Sequence, residues 1–306
     1  MAQITLFSTP KPFTNPHINI IQRNAIQSWL HLGEQVEVLL VGDEPGMAEV
    51  AAEYGITQLA DVRCNDKGTP LVSSIFGLAR RHSQSPLLVY TNADILFLPD
   101  LISAAAQTAS QAQAFMLISQ RWDLDLSEPF NFSNGTAKEH SWDQRLSAEV
   151  RQRGSLHAPA GSDFFVFPRS LFQDIPDFAI GRAGWDNWMI YYAKQQGWSV
   201  IDATPSMMVI HQNHDYGHLP DGRPHYEHPE SDKNQALAGG PAHMYMILDS
   251  DFQLRDGKLR HPPLDLVRAI RRAEVGLTPS DGRRTGLRWS LARQMRRLRR
   301  RITGSL

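Results

Sequence analysis

Residues 87–101, LLVYTNADILFLPDL, interrupt an apolar run with Asn92 and Asp94, a carboxamide and a carboxylate two residues apart. Two residues is the repeat of an extended chain, so both oxygen-bearing side chains leave on the same side. Hard divalent cations take oxygen ligands and keep substrate phosphates as partners, and such a pair is a natural half-site for one. An Asp in this place equally caps a turn.

Two further segments carry reactive groups. AGWDNWMIYYA (183–193) sets Asp186 at the start of a helical pattern, where the macrodipole favours a carboxylate and where a general base can receive a proton from a hydroxyl. Its plainer role is a helix cap, with Trp185 and Trp188 as core. VIHQNHDYGH (209–218) ends an apolar run at His211, and His214 and His218 are spaced to share a helical face. Six of the twelve histidines fall between 211 and 243, a density that suggests a site. A structural zinc site competes, but such sites usually recruit thiolates, and the single cysteine, Cys64, is far away in sequence.

The elements that must position these groups alternate. Strands are expected at 3–8, 36–42, 86–98, 114–119 and 160–168, and near 198–203 and 206–211. Amphipathic helices are expected at 17–33, 45–55, 69–82, 99–111 and 184–197. Residues 120–160 show little periodicity and read as a long loop or acceptor-facing insertion. This order predicts an α/β domain whose mixed, mostly parallel central sheet is flanked by helices. Ligands of such sheets bind outside the carboxyl ends of the strands, and the polar breaks at 8–12, 42–44 and 91–94 all lie there.

The order and spacing resemble those of nucleotide-sugar-dependent glycosyltransferases with the A-type (GT-A) fold, family 2-like. The resemblance spans much of residues 1–215: a first strand with a polar loop, a strand ending VGDE, the NAD strand, GSDFFVF, GWDNW and a terminal VIH. It implies transfer of a sugar from a nucleoside-diphosphate sugar to a hydroxyl acceptor, assisted by Mn2+ or Mg2+. Asp94 and His211 would hold the metal, although Asn92 stands where many members carry the first acid of an Asp-x-Asp pair. Asp186 would be the catalytic base of an inverting reaction. Thr9, Pro10 and Asp43 would meet the base and ribose, Asn92 the donor, and NDKGTP (65–70) could present Lys67. GSDFF offers Ser162 and Asp163 to the donor sugar or acceptor.

Charge divides the chain. Residues 281–306 carry nine arginines and one aspartate, a net +8, while the whole chain is −1, so residues 1–280 stand at −9. Leu287, Leu291, Met295, Leu298 and Ile302 fall within about 80° of arc on a helix. A basic amphipathic helix over 283–302 binds anionic membrane surfaces, which favours a lipid-linked acceptor; a solvated tail is the plain alternative. Nucleic acid is not expected on so acidic a body. The expected organisation is a transferase domain over 1–250, a peripheral linker over 251–280 and the basic tail over 281–306. No apolar run approaches the roughly 20 residues of a membrane span, the first residues do not read as a signal peptide, and one cysteine excludes an intrachain disulfide. The expected place is the cytoplasm, peripheral at the inner face of a membrane. Two other functions share these features: a sugar-phosphate nucleotidyltransferase, whose Gly-rich basic loop after the first strand is missing from STPKPF, and a non-catalytic adaptor docked to membranes.

Overall fold

The computed structural model describes residues 2–133, 140–214 and 228–304. The chain begins β1 (Ile4–Ser8), α1 (Pro16–Leu30), β2 (Val36–Val41), α2 (Met47–Tyr54), β3 (Thr57–Leu59), α3 (Val72–His82) and β4 (Leu87–Thr91). β1 and β4 are fully buried and β2 is buried over its last four residues, while β3 is the partly exposed edge; each of α1 and α3 presents one apolar stripe. β1 pairs in parallel with both β2 and β4, and β2 with β3, through helical crossover connections. The sheet continues beyond β4 through β9 (Phe164–Pro168), β6 (Phe115–Ile118) and β10 (Ser199–Asp202) to β12 (Phe252–Arg255) and β13 (Lys258–Arg260). β9 runs antiparallel to β4 and β6, and β13 to β12; the other pairs are parallel. The result is a mixed, mostly parallel sheet of nine strands among the described residues.

Both faces of this sheet are covered, so its strands are apolar on both sides. On β9, Phe164 and Val166 join Trp29, Val89 and Leu101 in one core, while Phe165 and Phe167 join Phe76, Tyr90, Trp185 and Met189 in the other. That alternation is the period of two of an extended chain. The covering helices include α4 (Asp100–Ala109) on the first face and α6 (Trp185–Gln195) on the second.

Three expectations are corrected. Residues 86–98 are two strands in two sheets: β4 ends at Thr91, the chain turns through residues 92–94, and β5 (Ile95–Phe97) enters a second sheet with β11 (Val209–Gln212), β7 (Arg121–Leu124) and β8 (Ser155–Leu156). The polar break is the crossing point. Residues 120–160 are not one loop, since they hold β7, β8 and α5 (Trp142–Arg153). A capping box between Ser141 and Gln144 starts α5, and Trp142, Leu146 and Val150 bury its four-residue stripe against the second sheet. Residues 251–280 are no linker: β12 and β13 extend the main sheet, and α8 (Leu266–Leu277) is tied to Asp202 at the end of β10 by Arg268. The basic tail is helical, as α9 (Gly286–Thr303).

Candidate active site

The carboxyl ends of β1, β2 and β4, the start of β9 and the end of β11 converge on one edge. Asp94, in the turn after β4, is 8% exposed. Its Oδ2 lies 3.2 Å from His214 Nε2, and its buried Oδ1 has no hydrogen-bond partner. One ligand atom each of Asp94, His211 and His214 lie within 4.8 Å of one another. β11 delivers both histidines, because His211 pairs in register with Ile95, immediately after Asp94. The main-chain N–H of Gln212 donates to the Asp94 carbonyl at 3.1 Å, fixing that register. Burial works to raise the Asp94 carboxyl, but the His214 bond and the charges of His211 and Lys11 outweigh it and hold Asp94 well below the usual carboxylate range. An ionised, partly unpartnered carboxylate beside two imidazoles is a donor set that fits a divalent cation.

Lys11, absent from the sequence-based candidates, enters this cluster. Its Nζ is 3.3 Å from His214 Nε2. Gln22 clamps its backbone from both sides, accepting from Lys11 N at 2.6 Å and donating to Lys11 O at 2.9 Å. Burial lowers its ammonium pKa, and Asp94 opposes that. The only signal in the sequence was a lone cation held between the prolines of TPKPF.

A second line of contacts braces the cluster. The Asn92 carboxamide is turned away from Asp94: its Oδ1 accepts from Tyr90 Oη and its Nδ2 donates to Asp163 Oδ1, both at 2.9 Å. The expectation of two side chains sharing one side of a strand fails here because the strand ends at Thr91. Arg121 donates to Asp163 Oδ2 at 2.8 Å and to Asp123 Oδ1 at 2.9 Å. Asp123 Oδ2 lies 2.7 Å from His157 Nδ1. His211 Nδ1 is 3.2 Å from Asp123 Oδ1, within ion-pair range but out of line for a hydrogen bond, so that nitrogen makes none. Burial alone would raise Asp123, but His157, His211 and Arg121 hold it well below the ordinary range. Asp123 thus stands as an anion behind His211 while its hydrogen bonds go to Arg121 and His157. Arg121 and Asp123 alternate in RWD, a strand signal hidden when 120–160 is taken for a loop.

Asp186 sits in the first turn of α6, behind Gly184 in the left-handed region (φ 105°). The dipole argument proves incomplete. Burial, with Asp163 adding to it, outweighs the backbone N–H groups of the turn and pushes the carboxyl up to about 6. Gly161 makes room for it, since a Cβ there would stand 2.8 Å from Asp186 Oδ2. Tyr90 links the two halves of the site: burial raises its phenol well above the ordinary value, and Asp94, Asp163 and Asp186 all add to the rise.

The remaining candidates lie around this centre. Thr9, after β1, has a buried Oγ1 without a hydrogen-bond partner, and Pro10 beside it is buried. Asp43 is exposed after β2 and accepts from Gln58 at 3.3 Å. Lys67 is exposed on a loop closed by Asn65, which donates in turn to Glu230 of α7 (Pro229–Leu237) at 2.6 Å. Ser162 is used locally, its hydroxyl donating to the Phe164 carbonyl at 2.8 Å. His214 belongs to the Asp94 cluster, not to a helical face; His218 lies outside the described residues.

No family model matches this chain, and no curated protein matches it. Solved structures similar in shape include the mannosyltransferase PcManGT from Pyrobaculum calidifontis in complex with GDP-Man and Mn2+, at 12% identity and TM-score 0.45 over 71% of this chain and 58% of that one. S. aureus TarS 1-349 in complex with UDP-GlcNAc gives 12% and 0.49 over 82% and 68%. Glucosyl-3-phosphoglycerate synthase from Mycobacterium tuberculosis, in complex with Mn2+, UDP and glucosyl-3-phosphoglycerate, gives 14% and 0.47 over 87% and 88%. The chain thus spans less than two thirds of the mannosyltransferase.

Proposed function

We propose that this protein transfers a sugar from a nucleoside-diphosphate sugar to a hydroxyl acceptor by single displacement, with Asp186 as base. The observation that carries the reading is the pairing, on one sheet edge, of a divalent-cation donor set at Asp94, His211 and His214 with a raised carboxyl at Asp186. A bound Mn2+ or Mg2+ would neutralise charge on the leaving diphosphate, and two imidazoles with one carboxylate suit Mn2+ better than Mg2+. Lys11 adds a second positive charge beside the same phosphates. Thr9, Pro10 and Asp43 face the nucleoside, and Lys67 reaches the donor from its loop.

The chain's own groups divide the remaining work. Asp163 is held by both Asn92 and Arg121, so it orients the sugar and is poorly placed to attack it. Asp186, raised to about 6, is ionised at neutral pH yet basic enough to accept the acceptor hydroxyl proton. Among the described residues at this site, one raised carboxyl with Asp163 already engaged favours inversion. The arginines of α9 support an acceptor carried on a membrane lipid, and a position at the cytoplasmic face. Incubation with a panel of nucleotide sugars and Mn2+ tests the reading: slow release of nucleoside diphosphate from one or a few donors is expected, and lost in Asp94→Ala. Release of pyrophosphate from a nucleoside triphosphate and a sugar phosphate would mark a nucleotidyltransferase. No turnover of any donor would remove the proposal.

A further inference from the structure

α9 is docked by its charged side. Arg296 Nε and Arg299 Nε donate to the two carboxylate oxygens of Glu274 on α8, each at 2.8 Å, and Glu274 and Arg299 are 1% and 3% exposed. Ala292 is buried on the same face. At 100° per residue, the buried positions 292 and 299 lie about 90° around the helix from the middle of the Leu287–Leu291–Met295–Leu298–Ile302 stripe. Most of the stripe is therefore left facing out: Leu287 is 77% exposed, Leu298 43% and Ile302 46%, with Leu291 and Met295 half-buried beside them. Leu264 and Leu266, at the start of α8, are 84% and 67% exposed. Of seven exposed large hydrophobic residues among those described, these five sit in one helical pair, so the patch is a local feature and not the scatter of an ordinary surface.

An amphipathic helix normally turns its apolar stripe to the body and its charges to water. Here a buried ionic cluster does the docking and the leucines are turned out, flanked by the exposed Arg293, Arg297, Arg300 and Arg301. Something apolar and negatively charged fits that face. A second copy would set the exposed Arg293, Arg297, Arg300 and Arg301 against their own kind, and elsewhere among the described residues only the scattered Leu156 and Leu237 are exposed large hydrophobics. We infer that α8 and α9 form a preassembled docking surface for an anionic lipid bilayer, with α9 lying in the headgroup plane and its leucines among the acyl chains. No helix among the described residues is long and apolar enough to cross a membrane, so the contact is peripheral. The inference rests on the packing of α8 and α9 and stands or falls apart from the sugar-transfer reading.

Because these side chains are already exposed, the triple variant Leu287→Ser, Leu298→Ser, Ile302→Ser should fold as the wild type does. Co-sedimentation of the full chain with vesicles of phosphatidylcholine, with and without 30% phosphatidylserine, is the experiment. Each arginine near an anionic surface strengthens partitioning about fivefold. The wild type should bind the anionic vesicles at least ~10-fold more strongly than the neutral ones, and weaken as salt rises. The triple variant should lose binding to both. Arg293→Gln, Arg297→Gln, Arg300→Gln, Arg301→Gln should erase the preference for phosphatidylserine. The inference is overturned if the wild type stays in the supernatant at low salt, or if the triple variant binds equally. It is also overturned if the triple variant instead converts a dimer to a monomer in sedimentation velocity, which would make a second copy the occupant.

Discussion

Replacing Asp186 by Asn should stabilise the protein at neutral pH while abolishing most of its activity. The carboxyl titrates at about 6 against an ordinary 3.8, because burial, reinforced by Asp163, disfavours its charge more than the turn's backbone N–H groups favour it. A rise of about two pKa units is worth about 3 kcal/mol. The sign follows from proton counting: between about pH 4 and 6 the folded chain holds a proton that the unfolded chain has released. Stability from this group therefore falls as pH rises through that window, and is flat above it. The amide of the variant is neutral throughout and keeps an oxygen for the N–H groups of the turn. Urea unfolding followed by tryptophan fluorescence should find Asp186→Asn up to ~3 kcal/mol more stable than wild type at pH 7.5, with the gap closing towards pH 4. Turnover should fall roughly 10²–10⁴-fold, and wild-type kcat/KM should rise tenfold per pH unit below about 6. A stability difference that is the same at every pH would refute the reasoning and leave Asp186 a helix cap.

Gly161→Ala should lower kcat by on the order of 10²-fold with an unchanged circular dichroism spectrum, because its Cβ would stand 2.8 Å from Asp186 Oδ2 and push the base aside. Lys11→Met should weaken donor binding by roughly 10–100-fold in calorimetry, the worth of one charged hydrogen bond, with a smaller change in kcat. Glu274→Gln should leave Arg271, Arg296 and Arg299 without their shared anion. Loss of a buried partner costs about 3–5 kcal/mol, enough to detach α9, which limited trypsin digestion would detect as early cleavage within 286–304.

Much of the fold could be read from the sequence because the first half alternates cleanly. The helices expected at 17–33, 45–55 and 99–111 lie where α1, α2 and α4 form, with ends shifted by one to three residues. What failed were elements with weak local signals. β7 is half-exposed and the two-residue β8 is the exposed edge of the second sheet, while β12 joins the main sheet only through β10 and β13 only through β12. Nothing in residues 86–98 shows that the chain changes sheets at Asp94. At the site, Asp94 and His211 were visible because each ends an apolar run. His214 and Lys11 were not, since their roles come from strand pairing and from the Gln22 clamp. The direction of the apolar stripe of α9 was also hidden: its periodicity shows the stripe, but only the Glu274 cluster shows that it faces outward.

The central claim is that Asp94, His211 and His214 together hold a divalent cation that meets the donor diphosphate. Pulsed electron paramagnetic resonance of Mn2+ added with a nucleoside diphosphate reads the nitrogen ligands directly. The wild type should show modulation from two imidazole nitrogens together with phosphorus coupling, His211→Ala and His214→Ala should each retain one nitrogen, and Asp94→Ala should bind too weakly to give a protein-bound signal. Bound Mn2+ that couples to phosphorus and water alone, unchanged by either histidine substitution, would contradict the account.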